Sequence, residues 1–371
     1  MKRRTFLKKT AGGTLVSSLA FSAATRIGAA GEGIPVGVIT QERGPHLGIY
    51  LKALAQAQGV ASVALSDESG TTFDRAGEVL GDKLTTFRDH GEMLREAKPR
   101  AVLVSLAAHL SPPPIRESLE AGAHVLAEKP ACVRAEDFEP LVRLADSRKL
   151  NLMLALGSRL HPAVLKAREL IQSGFLGDPF GAHLVFVADQ TRLTRPRYQE
   201  SWLAFKDKAG GGQLIWLGIH YLDLVQYLTG DRIEQVSAVT RNVGGQPVEI
   251  EDSVALALRF KGGMVGTYHG GYYLDRGYHL GVKLWGSKGW LRMNLLKGPM
   301  HWYSTHPDAP RKIQVHDFET GPSSYYPLVQ SLVDLGRGMG NPPLTGEDSL
   351  HVLKVVFSAY KAAETGVSQP V

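Results

Sequence analysis

A lysine at the end of an apolar run is the first residue in this chain placed to do chemistry. Ala123-His124-Val125-Leu126-Ala127 reads as a buried parallel strand, and Glu128-Lys129-Pro130 follows it. Proline cannot extend a ladder, so the strand stops there and the Lys129 head is predicted to face the crevice at the sheet's carboxyl edge, where open α/β sheets bind ligands. The second candidate lies far along the chain. Gly210-Gly211-Gly212 opens a helix whose free N–H groups point at whatever precedes it. Trp216, His220 and Asp223 recur on it at helical spacing and share a face. His220 can take a hydroxyl proton near neutral pH, and Asp223, one turn later, can orient its imidazole. Each has a plainer reading: a solvated lysine after a strand, and a satisfied histidine between helix and sheet.

Weaker candidates surround these. Arg159 and His161 either line a substrate cleft or serve as surface and helix-capping groups. Arg192, Arg195, Arg197, Tyr198 and Trp202 lie in a polar stretch that can cover a carbohydrate, and Tyr272, Tyr273 and Asp275 follow a strand. Cys132 is the only cysteine, so the fold relies on packing without an intramolecular disulfide, and a lone cysteine is most often a small buried residue. The 13 histidines show no close spacing of metal-ligand type, so no metal is expected.

These residues need a scaffold to bring them together. A chain of 371 residues is too long for one ordinary core and implies two domains. Strands at Ile34–Ile39, Ser62–Leu65, Ala101–Leu106, His124–Ala127 and Asn151–Leu156 alternate with helices at Leu47–Gln58, Phe87–Glu96, Pro114–Ala121 and Glu136–Arg148. That order predicts a Rossmann-like, doubly wound parallel sheet over residues 31–156. From 157 to 371 the pattern changes. A helix at His161–Ser173 and a strand at Gly181–Ala188 come first, then the glycine-led helix to Leu228. Strands follow at Ile233–Val243, Ser253–Phe260, Met264–Tyr272, His279–Trp285 and Trp290–Leu295, with a hairpin turn at Lys261-Gly262-Gly263. Helices at Tyr325–Gly336 and Asp348–Glu364 close the chain. This half is predicted to be an α+β domain with a large, mostly antiparallel sheet.

Residues 1–30 read as an export signal. Arg3-Arg4-Thr5-Phe6-Leu7-Lys8 resembles a twin-arginine box, a modest Gly/Ala/Ser-rich apolar stretch follows, and Gly28-Ala29-Ala30 offers small residues for cleavage. The stretch is too short and too weakly apolar to span a bilayer. Twin-arginine machinery moves folded proteins, so a tightly held cofactor could cross with the chain to an extracytoplasmic site. The segment also carries six basic residues and no acid; removing those six from the 42 Lys+Arg leaves 36, equal to the 36 Asp+Glu. The remainder is formally neutral, which excludes a charge-based case for nucleic acid.

Taken together, four blocks resemble the glucose–fructose oxidoreductase/inositol dehydrogenase (Gfo/Idh/MocA) family. They are Leu119-Glu120-Ala121-Gly122 through Glu128-Lys129-Pro130, Gly157-Ser158-Arg159-Leu160-His161-Pro162 with the helix ending at Gly174, the glycine-led helix, and Thr345-Gly346-Glu347-Asp348 onward. The resemblance implies a nicotinamide-dependent oxidoreductase acting on a sugar or polyol hydroxyl, a homo-oligomer, and a cofactor at the carboxyl edge of the first sheet. By position it gives proton transfer to Lys129 and His220; with the reading of the residues, Gly44, Asp67, Glu128, Lys129 and Pro130 are expected on the cofactor side and Arg159, Trp216 and Asp223 on the substrate side. Asp67, after the second strand, fits an acid on the adenosine ribose and favours NAD over NADP.

Two departures from the family pattern stand out. Where the family carries G-x-G-x-x-G, this chain has Thr40-Gln41-Glu42-Arg43-Gly44-Pro45, which lacks the glycines that let backbone approach a pyrophosphate. Gly44 and Gly48 could form a different cradle. Where the family commonly has an aspartate four residues before the histidine, this chain has Trp216, which can donate a hydrogen bond but cannot take a proton. Two rival readings follow: a glycoside-cleaving enzyme that oxidises its sugar transiently on bound NAD, and a redox-inactive carbohydrate-binding protein.

Overall fold

The computed structural model describes residues 33–296, 298–318 and 323–371, so the twin-arginine segment lies outside the described residues. The first sheet contains β1 (Ile34–Thr40), β2 (Val60–Ser66), β3 (Leu84–Phe87), β4 (Ala101–Ser105), β5 (His124–Ala127) and β6 (Leu152–Leu154). All pairings are parallel, in the order β3-β2-β1-β4-β5-β6. The order reverses between β1 and β4, which opens a crevice at their carboxyl ends. Between the strands run α1 (Leu47–Gln56), α2 (Phe73–Leu80), α3 (His90–Ala97), α4 (Pro112–Glu120) and α5 (Ala135–Ser147). β3 and α2 lie where sequence periodicity gave no element. β3 is a four-residue edge strand with no buried residue, so it carries little apolar signal.

Alternation along each strand sends residues to two cores. Val36, Val38, Leu103, Leu126 and Met153 pack with α1 and α2. Ile39, Val102, Val104, Val125 and Leu154 pack with α3, α4 and α5, and that core runs on into the second domain.

The second domain begins with α6 (Pro162–Gln172) and β7 (Pro179–Asp189). A one-turn π-helix at Leu214–Gly218 then leads into α7 (Ile219–Thr229). Next come β8 (Ile233–Arg241), β9 (Ser253–Phe260), β10 (Val265–Leu274), β11 (His279–Gly286), β12 (Gly289–Met293), β13 (Met300–Ser304) and β14 (Gln314–His316). The chain ends with α8 (Tyr325–Gly336), α9 (Gly346–Thr365) and β15 (Gln369–Pro370). Nine strands form one sheet, β14-β13-β12-β11-β7-β10-β9-β8-β15, antiparallel except where β10 runs beside β7. β9 reads buried-exposed in strict alternation, so one face is covered and the other open. Although α8 is late in sequence, its Leu328, Val329, Leu332 and Val333 pack into the first domain's core.

Candidate active site

The strand β5 and the π-helix place Lys129 and Trp216 in direct contact. Lys129 Nζ lies 3.2 Å from the centre of the Trp216 ring system and donates to the Trp216 carbonyl at 2.7 Å. The ammonium is therefore capped: Lys129 is 2% exposed rather than facing an open crevice as its position after the strand predicts. Its neighbour Glu128 offers only a distant carboxylate oxygen at 4.0 Å. Burial pushes the Lys129 pKa down to about 7, with the Glu128 charge opposing and the Arg192 charge assisting that shift. A lysine tuned this way exchanges protons at neutral pH.

His220, one turn into the helix segment, shares this environment. Burial, then the charges of Lys129 and His46, hold its pKa well below the usual imidazole value, so it is neutral at pH 7. Its Nδ1 is buried with no partner among the described residues. Asp223 does not orient it. The Asp223 carboxylate instead grips Arg159 in a fork, Nη2 to Oδ1 at 2.6 Å and Nε to Oδ2 at 2.9 Å, while Arg159 Nη1 reaches Asp348 at 3.2 Å and the Pro343 carbonyl at 3.1 Å. The predicted substrate roles of Arg159 and Asp223 are thus replaced by a buried structural clamp. His161 is a capping residue, its Nδ1 accepting from Ala163 N at 3.1 Å.

Two cofactor assignments, Glu128 and Gly44, also change. Glu128 is 1% exposed, and Oε2 accepts from the Tyr50 hydroxyl and stands 3.1 Å from His46 Nδ1, so the carboxylate faces inward rather than toward a ligand. Gly44 spends its N–H on the Gln41 carbonyl at 2.9 Å, and a Cβ there would come within 2.2 Å of Thr40 Oγ1; it is a tight-packing glycine, not a phosphate cradle. The Arg75 guanidinium lies over Gly48, so no cradle forms from the two glycines. Asp67 stands at the tip of β2, but its oxygens accept from Ser69 N, Ser69 Oγ, Thr72 N and Thr72 Oγ1 at 2.8–3.1 Å. Burial works against its charge, and these hydrogen bonds overcome it and hold the carboxyl below its usual pKa. Pro130 follows Lys129 through a cis peptide.

The glycine-led N-terminus is likewise already filled. Glu251 accepts from Gly212 N at 2.7 Å and Leu214 N at 2.9 Å, and the Tyr360 hydroxyl accepts from Ile215 N at 3.2 Å. Gly211 is required there because a Cβ would lie 2.1 Å from the Tyr360 hydroxyl. These N–H groups fix the helix and have nothing left for a ligand.

Sequence reasoning missed His46. It precedes α1 in a left-handed conformation (φ 57°), stacks on Trp216 at 6.1 Å and lies 3.4 Å from the Tyr325 hydroxyl. The left-handed region costs a non-glycine residue, and such residues gather at functional sites. Its only sequence signal is its place at the altered fingerprint. Cys132 is fully buried, and burial raises its thiol pKa, so it supplies no nucleophile. Among the described residues no three His, Cys, Asp or Glu side chains converge as a metal site.

A groove of about 1680 Å³ runs along the tips of β1, β2 and β4. Thr40, Gln41, Glu42, Asp67 and Ser69 form one wall, and Arg192, Arg195, Arg197, Tyr198 and Trp202 of the second domain form the other. Trp202 meets Trp216 edge-on at 5.8 Å, which joins the groove to the Lys129 site. The groove lies at the order reversal of the sheet, and the site beside it holds unpartnered His220 Nδ1 and Tyr272 hydroxyl. Buried polar atoms without partners are costly unless a ligand completes them. These residues fit a dinucleotide with a hydroxylated substrate at its end.

Family profiles agree with this architecture. Residues 45–156 match the oxidoreductase family with NAD-binding Rossmann fold, and residues 164–292 match the GFO/IDH/MocA C-terminal domain. The chain belongs to the Gfo/Idh/MocA oxidoreductase family. Members similar to it include a 1,5-anhydro-D-fructose reductase of Ensifer adhaerens, 24% identical over 83% of this chain and 89% of that protein. Another is a myo-inositol 2-dehydrogenase of Thermotoga maritima, 21% identical over 85% and 92%. Among solved structures, a levoglucosan dehydrogenase in complex with NADH and levoglucosan has the same fold, with a TM-score of 0.81 and 18% identity over 92% of this chain and 99% of that one. The parallel sheet, the mixed nine-stranded sheet and the NAD-binding Gfo/Idh/MocA assignment all match the sequence expectation.

Proposed function

We propose that this protein is an NAD-dependent dehydrogenase or reductase that works on a secondary hydroxyl, or the matching ketone, of a sugar or polyol. The observation that carries this is a buried Lys129 and an unpartnered His220 Nδ1 gathered at Trp216, whose ring meets Trp202 of the groove. When bound, a nicotinamide supplies the hydride acceptor or donor. The residues of this chain handle the proton. An unprotonated Lys129 amine accepts it from the substrate hydroxyl, and His220 Nδ1 supplies the second hydrogen bond that fixes that hydroxyl. Because the indole of Trp216 covers Lys129, substrate reaches the amine only when the ring swings aside. The reductase and dehydrogenase names of the relatives support this reading and give no support to glycoside cleavage or a redox-inactive role.

Asp67 and Glu68 place two carboxylates on the groove wall at the β2 tip, which disfavours a 2′-phosphate and supports NAD over NADP. The twin-arginine box supports export in the folded state. The open sheet face, with Val239, Val265 and Trp285 exposed, supports self-association. The test is direct. Denatured full-length protein should release NAD detectable by mass spectrometry, or the purified protein should bind added NAD and change nicotinamide absorbance with a sugar or polyol. Neither binding nor absorbance change across a broad panel sinks the proposal. Fractionation of cells expressing the wild type and an Arg3→Lys/Arg4→Lys variant tests export: the wild type should leave the cytoplasm and the variant should stay.

A further inference from the structure

Basic groups outnumber acids around Lys129. The Arg192 charge reaches Lys129, and the charges of Lys129 and His46 reach His220. The carboxylate among them, Glu128, is buried; its Oε2 is turned to Tyr50 and His46, and its Oε1 stands 4.0 Å from Lys129. The position of the family aspartate holds Trp216, so the substrate side has lost an acid.

Arg192 is the unpaired member. Among the described residues it forms no ion pair, and its guanidinium sits 5.3 Å from the centre of the Tyr272 ring and 3.3 Å from the Tyr278 hydroxyl. Tyr272 is 3% exposed, and its hydroxyl lies near Arg192 without a hydrogen bond of good geometry. Two nearby acids already hold other groups, although the Arg192 charge does reach Asp189. Asp189 accepts from Thr191 N at 2.8 Å and Arg276 N at 3.3 Å, and Glu251 is held at the π-helix. Tyr272, Tyr198 and Trp216 pack in one cluster, so this guanidinium, held by phenols and by no carboxylate, and the capped lysine belong to the same site.

A half-buried guanidinium with aromatic walls and a neighbouring buried phenol matches a planar, singly charged acceptor better than a neutral hydroxyl. We propose that the substrate is a sugar acid: its carboxylate rests on Arg192 and the Tyr272 hydroxyl while the reacting hydroxyl meets Lys129 and His220. This rests on the dehydrogenase reading and deepens it by naming the substrate class. Trp202 and Trp216 offer the apolar faces on which a sugar ring stacks.

The experiment compares matched pairs that differ by the carboxylate, D-glucuronate with D-glucose and D-galacturonate with D-galactose. Dissociation constants are measured by calorimetry on the full-chain protein without added cofactor. NAD is titrated separately, so loss of nucleotide binding strikes the dehydrogenase reading while the acid comparison is still read. At least one acid should bind about tenfold or more tightly than its neutral partner. Arg192→Gln should erase that preference, Arg192→Lys should keep part of it, and unfolding curves establish that both variants fold. Equal binding of acids and neutral sugars overturns the proposal. So does an acid preference that survives Arg192→Gln, or tighter binding of D-glucose 6-phosphate than of D-glucuronate.

Discussion

Lys129 and Arg159 are both buried cations, and they have opposite chemistry. Arg159 meets Asp223 through a two-point fork and Asp348 at one end; although burial opposes its charge, those carboxylates raise its pKa further. Lys129 has an aromatic face, a carbonyl and a carboxylate 4.0 Å away, and burial brings it to about 7. A buried cation with full partners is a rivet, whereas one left short of partners can give up its proton. The lesson is that burial alone does not mark a catalytic lysine or arginine; the supply of carboxylates around it does.

The comparison breaks most visibly at Lys129 itself. Lys129→Ala should lower turnover by about a thousandfold while leaving the denaturation midpoint unchanged or raised, because an underpaired buried charge is removed. Turnover within tenfold of wild type would show that the lysine is no more than structural. At the other cation the expected loss is in stability. Asp223→Ala strands the Arg159 guanidinium and should cost about 3–5 kcal/mol in urea unfolding, and Arg159→Met/Asp223→Leu should recover much of it.

The pH profile sharpens the contrast. In the oxidative direction the amine must be unprotonated to accept a proton. So kcat/KM should fall about tenfold per pH unit below the Lys129 pKa of about 7 and level off above it. Trp216→Ala uncovers the ammonium, relieves its desolvation and should move that midpoint upward by about one unit or more. A midpoint unmoved in this variant would mean that the indole does not set the lysine's pKa. The smallest effect is expected at Asp67, an anion already satisfied by Ser69 and Thr72. Asp67→Asn should cost about 1 kcal/mol of stability and shift cofactor preference a few-fold toward NADP, read by parallel titration with NAD and NADP.

Much of the scaffold was legible because its signals are local. β5 and α8 fall where apolar periodicity and flanking breakers put them, and the turn at Lys261-Gly262-Gly263 joins two paired strands as its residues predict. The second domain's large sheet followed from successive alternating strands. The site was legible in part. Lys129 and His220 were found from their places after a strand and on a helix, and the Arg192–Trp202 stretch does line the groove. The partners were not. Helical spacing placed Trp216, His220 and Asp223 on one face, but the π-turn at Leu214–Gly218 changes the residue count per turn and periodicity gives no sign of it. His46 was missed because its meaning lies in a left-handed bend and in rings contributed by distant elements.

Periods of 2 and 3.6 and a proline act within a few residues, so the alternation of strands and helices, the faces that make the cores and the lysine at a strand's end are written locally in the chain. That Trp216, 87 residues from Lys129, covers its ammonium, that Asp223 turns to Arg159 and that glycine-led N–H groups go to Glu251 follow from the packing of distant segments. Charge state and pairing depend on burial and on which distant groups arrive at the same point, and that information exists only once the two domains have packed.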